Sequence, residues 1–357
     1  MSADANKYTL DFSQIGVEDH DRVGGKCASL GDMTQAGVAV PPGFAVTTDA
    51  YAEMLESHGL LAEIQRHLTS VDPDDLDSVD RAAQAVRIRI RSHHIPESVE
   101  QAIRDAYNAM GDNIPVAVRS SATAEDMPDA SFAGQQDTYL WVQGADDVVT
   151  RVRDCWASLY TTRAVAYREK NKITHADVLM SVGVQKMVRA SAAGVAMTLD
   201  PVTGDRTRIV IDASWGLGEL VVSGIVTPDN YTVEKILMEV IDRKISDKHV
   251  ELVGDAALGE AVEREVEEER RKAQCLTDAQ IIAVATLAKH LEKQKKCPQD
   301  IEWAIDADLP EGENLLALQS RPETIWSQKK KDDTKKTYAT GMMGIVGTLN
   351  SALKVKT

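Results

Sequence analysis

Two short stretches near the end of the sequence can bring a carboxylate, an amide and a guanidinium together. In Ile301-Glu302-Trp303-Ala304-Ile305, the strand period of two buries Ile301, Trp303 and Ile305 and turns Glu302 the other way. In Leu316-Ala317-Leu318-Gln319-Ser320-Arg321, the same period sets Leu316 and Leu318 on one face and Gln319 and Arg321 on the opposite one. With residues 306–314 as a hairpin loop centred near Pro310 and Glu311, Glu302 falls across from Gln319. A hard cation such as Mg²⁺ takes one or two protein oxygens and completes its shell with phosphate oxygens, while an arginine fork grips phosphate. The stretch therefore suits a metal-bound phosphate. It also describes an edge hairpin with a surface Glu–Arg pair worth about 0–1 kcal/mol, and geometry alone favours that plainer reading.

Three further segments suit the same chemistry. Gly24-Gly25-Lys26 opens a helix-like stretch, where glycines admit a phosphate to the backbone and lysine adds a point charge. It is no P-loop, which would need glycine at His20 and a hydroxyl at Cys27, and a plain helix entry is the competing reading. Arg119 follows the apolar Val116-Ala117-Val118 and opens a polar loop, residues 120–137, that could lie over an oligophosphate. A surface turn in which Arg119 pairs with Glu125 or Asp126 stands on equal terms. Gly216-Leu217-Gly218-Glu219 is half of a dinucleotide fingerprint. Val221 stands where the third glycine belongs, so a tight turn presenting Glu219 is what remains.

The elements that must hold these residues read as a mixture of strands and helices, an α+β order rather than a βαβ repeat. Helical sequence is expected over 24–36, over most of 49–110 around an acidic loop at Val71 to Asp80, and over Asp146 to Lys170. Extended runs are expected at Phe44 to Thr47, Val116 to Val118, Val182 to Val188, Gly194 to Leu199 and Ile209 to Asp212. A charged helix is expected around Ala257 to Gln274. Another begins at Thr277, where Thr277 and Gln280 make a capping box and Leu276 staples onto Ile281. Its apolar stripe is Ile281, Val284, Ala285, Ala288 and Leu291. Beyond Trp326, lysines beside Asp332 and Asp333 read as a solvated linker, followed by a small-residue apolar stretch. That end is either without fixed structure or a docking peptide for another chain.

Composition narrows the function classes. A net charge of −16 over 357 residues argues against a general nucleic-acid binder, although a few local cations can still hold a nucleotide. No apolar run approaches the roughly 20 residues of a membrane span, and the first residues carry no basic flank or apolar leader. Cys27, Cys155, Cys275 and Cys297 are scattered and read as reduced thiols, so a cytoplasmic setting is expected.

The segments occur in a telling order. Val23-Gly-Gly-Lys-Cys-Ala-Ser-Leu-Gly-Asp-Met and Val40-Pro-Pro-Gly-Phe resemble the opening of the phosphoenolpyruvate synthase and pyruvate phosphate dikinase family. Val118-Arg-Ser-Ser-Ala, Ser131-Phe-Ala-Gly-Gln, Val184-Gln-Lys-Met-Val, Asp200-Pro-Val-Thr-Gly, Gly216-Leu-Gly-Glu and Leu318-Gln-Ser-Arg-Pro-Glu-Thr are similar to further blocks of that family. The resemblance implies a two-lobed ATP-grasp fold, with residues 1–190 as the first lobe, 191–326 as the second and 327–357 as a basic linker and tail. It implies that Lys26, Arg119, Gly134 and Thr138 hold the ATP phosphates, joined by Arg321 and Arg163. It implies that Gln185, Met187 and Val188 cup the adenine, that Glu219 meets the ribose, and that Glu302 and Gln319 ligate Mg²⁺.

In the family, ATP yields AMP and phosphate while the histidine of a swivelling domain's Thr-Ser-His motif keeps the middle phosphoryl group. No Thr-Ser-His occurs among these 357 residues, and none of the eight histidines sits in an apolar, glycine-rich setting. The expectation is an ATP-binding subunit whose acceptor histidine lies on a partner subunit. This arrangement resembles that of phenylphosphate synthase, where phenol is the final acceptor. The alternatives are a stand-alone portion of a phosphoenolpyruvate synthase or rifampin phosphotransferase, and an ATP-sensing subunit without turnover.

Overall fold

A computed structural model describes residues 5–69, 71–122, 138–175, 178–255, 257–324 and 326. Helices are α1 (Ala5–Tyr8), α2 (His20–Gln35), α3 (Thr48–Ser57), α4 (Leu60–Leu68), α5 (Leu76–Ser92), α6 (Glu97–Met110), α7 (Ala145–Ser158), α8 (Thr162–Asn171), α9 (Glu219–Val222), α10 (Glu268–Arg271) and α11 (Asp278–Lys295). Strands β1 (Thr9–Asp11), β2 (Gly43–Val46), β3 (Val116–Ala122), β4 (Thr138–Val142) and β5 (Met180–Lys186) form one antiparallel sheet in the order β1-β2-β5-β3-β4. A second sheet, β13-β12-β6-β7-β8-β9, is built from β6 (Ala190–Met197), β7 (Arg208–Trp215), β8 (Asp229–Glu234), β9 (Glu239–Lys244), β12 (Gln299–Asp306) and β13 (Leu315–Pro322). Strands β10 (Val250–Asp255) and β11 (Glu260–Glu265) pair with each other as a hairpin. The fold is α+β.

Each sheet buries one face on helices. Val118, Val182 and Val184 of the first sheet join Tyr51, Val86, Ile103 and Trp156 of the helical layer in one core. Ile209, Ile211, Ile301 and Trp303 of the second sheet pack with Ile281, Val284, Ala288 and Leu291 of α11 in another. Helix α2 belongs to the second core through Val23, Cys27, Leu30 and Met33, yet it also packs on β3 and β5 of the first sheet. It packs on both sheets, and it carries Lys26.

Several sequence expectations hold. Thr277 Oγ1 accepts from Gln280 N at 3.2 Å while Gln280 Oε1 accepts from Thr277 N at 2.8 Å, the reciprocal pair of a capping box. The five stripe residues of α11 are all buried. Other expectations need correction. The charged stretch 257–274 is not one helix: Glu260–Glu265 pairs in register with Val250–Asp255, and only Glu268–Arg271 is helical. Asp255 sets the turn, accepting from Ala257 N and Leu258 N, and Gly259 sits there at φ +69°. Hairpin pairing with the preceding strand overrides the helical bias of glutamate and arginine. The helix expected over 146–170 is two, parted where Thr161 Oγ1 caps α8 by accepting from Ala164 N. The acidic loop is shorter than expected, because Asp75 caps a helix that starts at Leu76. Strand β3 does not stop at Val118; Ser120, Ser121 and Ala122 pair on with Val182, Ser181 and Met180.

Candidate functional site

Helix α2 brings Lys26 to strand β3 through a backbone turn. Gly24 has φ +67°, and a Cβ there would lie 2.2 Å from the Ser121 carbonyl oxygen, so only glycine fits this approach. Ser121 fastens the turn: its hydroxyl donates to Val23 O at 2.9 Å and accepts from Cys27 N at 3.2 Å. Lys26 Nζ then donates to Ser120 O at 2.9 Å. One turn further along α2, Ser29 Oγ donates to Ser320 O at 2.6 Å, tying the same helix to β13.

The β12–β13 hairpin places Glu302 opposite Gln319, as the alternation requires. A bulge follows, so that Trp303 pairs with Ala317 and Leu318 is the extra residue. This corrects one expectation. Ala317 faces the core with Trp303, and Leu316 clusters with Ala304, on the face that Gln319 shares. From the first sheet, Arg119 reaches into the hairpin. Its Nη2 donates to Glu302 Oε2 at 3.0 Å and Gln319 Oε1 at 2.7 Å, and its Nη1 donates to Leu318 O at 3.3 Å. The guanidinium thus meets Glu302 and Gln319, a pairing the sequence reading did not offer for it. Lys26, Arg119, Gln185, Leu318 and Gln319 line one cleft.

The other expected site residues fall at different distances from this centre. Gln185 is buried in β5, with Nε2 at 3.5 Å from Pro41 O. Met187 and Val188 are buried just beyond that strand, Met187 beside Ala117, Trp141 and Leu217 and Val188 beside Ala304 and Leu316. Thr138 is exposed on β4 and pairs with Arg119 in register. Glu219 is exposed at the start of α9, after a turn in which Gly216 has φ +72°. Arg321 sits near Asp300, Nε to Oδ2 at 3.6 Å, rather than converging on Glu302. Burial raises the pKa of Asp300, and Arg321 opposes that rise. Arg163 is exposed on α8, which packs against α5 away from the hairpin. Gly134 and most of the 120–137 loop lie outside the described residues, as does the tail after Trp326.

Residues 20–342 match the model of the pyruvate phosphate dikinase, AMP/ATP-binding domain family. The chain belongs to this family. A probable phosphoenolpyruvate synthase of Staphylothermus marinus is 42% identical over 353 residues, covering 92% of this chain and 42% of the relative. The phosphoenolpyruvate synthase of Aeropyrum pernix is 42% identical, covering 91% and 43%, and that of Aquifex aeolicus is 41% identical, covering 94% and 42%. The chain thus spans about two fifths of the length of these curated relatives. Among the described residues no helix is long and apolar enough to cross a membrane.

For a member of this AMP/ATP-binding family, the hairpin also fits a metal. Glu302 and Gln319 offer two hard oxygens on adjacent strands, and the Arg119 cation stands between them in the place a divalent ion could take. Cys27 lies beside this group but is inert: burial pushes its thiol up to about 11, against smaller opposing hydrogen bonds from Ser121 and Ser181. Only thiolate reacts. At pH 8, a thiol reagent should therefore label the half-buried Cys297 first and spare Cys27 until the chain unfolds. Rapid modification of Cys27 in folded protein, read by peptide mass, would contradict that burial.

Sequence reasoning missed Trp141, which packs on Met187. The run Thr138-Tyr139-Leu140-Trp141-Val142, rich in aromatic and branched residues, was the available strand signal. It also missed the carbonyls of Ser120 and Leu318, since backbone acceptors leave no trace in residue types.

Proposed function

We propose that this chain binds Mg·ATP between two lobes of an ATP-grasp arrangement, residues 1–190 and 191–326, and donates a phosphoryl group to a histidine on a partner subunit, releasing AMP and phosphate. The supporting observation is the junction of Arg119, from the first sheet, with Glu302 and Gln319, from the last hairpin of the second. Mg²⁺, held by Glu302 and Gln319, would neutralise phosphate charge. Lys26 and Arg119, with Arg321 and Arg163, spread the charge that develops on the transferred phosphorus, and Gly134 and Thr138 hold phosphate oxygens. Gln185, Met187 and Val188 receive the adenine, and Glu219 the ribose. Preorganised charge and positioning carry most of phosphoryl transfer, so the residues need supply no covalent step.

These 357 residues hold no Thr-Ser-His, so the reading places the acceptor histidine on other residues. We assign it to a partner subunit, as in phenylphosphate synthase, with phenol as final acceptor and a cytoplasmic setting. The names of the relatives favour a second reading, a portion of a phosphoenolpyruvate synthase working towards pyruvate. Calorimetric titration with magnesium and ATP tests the core of the proposal: saturable heat is expected, and a flat titration of well-folded protein ends it. AMP formation, measured with a histidine-bearing partner and either phenol or pyruvate, then decides between the acceptors. AMP formation that no partner stimulates would remove the split arrangement.

A further inference from the structure

Trp141 is held in a conformation that its side chain does not favour. Among the described residues it is the one aromatic residue with positive φ, at +61°. Bulky residues rarely adopt that region, and where they do the surrounding packing imposes it. Its place on β4 is a bulge: Val116 pairs with Val142 and Val118 with Tyr139, so Leu140 and Trp141 together oppose Ala117. The bulge turns the indole, 6% exposed, into a cluster with Ala117, Met187 and Leu217. Its Nε1 has no hydrogen-bond partner among the described residues.

The surface that receives the indole belongs to the β10–β11 hairpin. A Cβ at Gly254 would lie 2.0 Å from the Trp141 Cη2, so the ring lies directly on the backbone of β10. Gly254 itself has no positive φ, and space alone excludes a side chain there. Two residues back, Leu252 O accepts from Leu217 N at 2.8 Å, and Leu252 bridges Gly216. One hairpin thus grips the first sheet at Trp141 and the Gly216–Glu219 turn at Leu252.

We infer that Trp141 and Gly254 form a clasp that positions Met187 and the Leu217–Glu219 turn around the nucleoside end of the nucleotide. The inference rests on the Mg·ATP reading and assigns two positioning residues to it. The clasp does not touch the phosphate centre at Lys26, Arg119 and Glu302. Disturbing it therefore acts on ATP and spares inorganic tripolyphosphate.

The test uses Gly254→Ala, Trp141→Ala and the double variant. Gly254→Ala should weaken Mg·ATP binding about tenfold, a typical consequence of overpacking, and leave magnesium tripolyphosphate binding unchanged. In the Trp141→Ala background the added methyl meets no ring, so the double variant should bind ATP like Trp141→Ala alone. Equal loss of both ligands, additive losses, or no loss overturns the clasp. Hydrogen exchange decides the matter independently of ATP and of any failure of the nucleotide reading. The Leu217 amide should exchange faster in both single variants, and unchanged protection there refutes the clasp even if wild-type protein binds no nucleotide.

Discussion

Glu302→Ala is expected to lower partner-dependent AMP formation by about 10³-fold, the scale on which preorganised charge contributes to transfer. Arg119→Ala should fall by a similar factor, since an arginine on the transferred group is worth about 10³–10⁵ in rate. Both side chains sit at the cleft rather than in a core, 30% and 18% exposed, so both variants should unfold close to the wild-type denaturant midpoint. Glu302→Gln separates charge from shape. The amide still accepts from Arg119 but offers no negative charge, and Mn²⁺ binding in the presence of nucleotide, followed by paramagnetic resonance, should weaken as in Glu302→Ala. Near-normal turnover in Glu302→Ala would remove this residue from the mechanism. Intact metal binding with lost turnover would move its role from holding the ion to orienting Arg119.

The largest stability effect is expected far from the cleft. Lys248 and Asp229 form an ion pair with both side chains fully buried, Nζ to Oδ1 at 2.6 Å. Asp229 also accepts from Ser246 N at 2.9 Å, Cys275 N at 3.0 Å and Tyr231 OH at 3.1 Å, and Lys248 Nζ donates further to Ser246 O at 3.0 Å. Desolvation raises the pKa values of Tyr231 and Cys275, so both stay protonated around this carboxylate. Removing one partner of a buried pair leaves an uncompensated charge and costs about 3–5 kcal/mol. Lys248→Met and Asp229→Ala should each lower the denaturation midpoint accordingly, Asp229→Ala more, because it strands three other donors. A loss below about 1 kcal/mol in Lys248→Met would mean that water or a neighbour solvates Asp229.

Much of this architecture was legible locally. The α11 cap and stripe, the buried face of β12 and the pairing of Glu302 with Gln319 follow from periods of 3.6 and 2 and one hairpin loop. What was not legible depended on strand pairing and tertiary packing. Residues 257–274 read as a helix because their composition suits one, whereas Val250–Asp255 claims Glu260–Glu265 for a strand. The bulge at Leu318 swaps the faces of Leu316 and Ala317, and alternation cannot foresee an inserted residue. For Arg119 the sequence offered a phosphate or a turn partner at Glu125 or Asp126; Glu302 lies 183 residues away, and only the packing of α2 on both β3 and β13 brings the two together. The β4 run was short and followed a long polar loop, which hid the strand that carries Trp141.

The cleft joins Lys26 and Arg119 to Gln319, which follows Arg119 by 200 residues, and β12 enters the second sheet between β13 and the already contiguous β6 to β9. On the ribosome, the first sheet and β6 to β9 emerge before the hairpin that completes the second sheet. Until then α2 has no Ser320 carbonyl to hold and Arg119 has no acidic neighbour from β12. A nascent chain should therefore assemble the junction of Arg119 with Glu302 and Gln319 only after β12 and β13 have left the exit tunnel and paired.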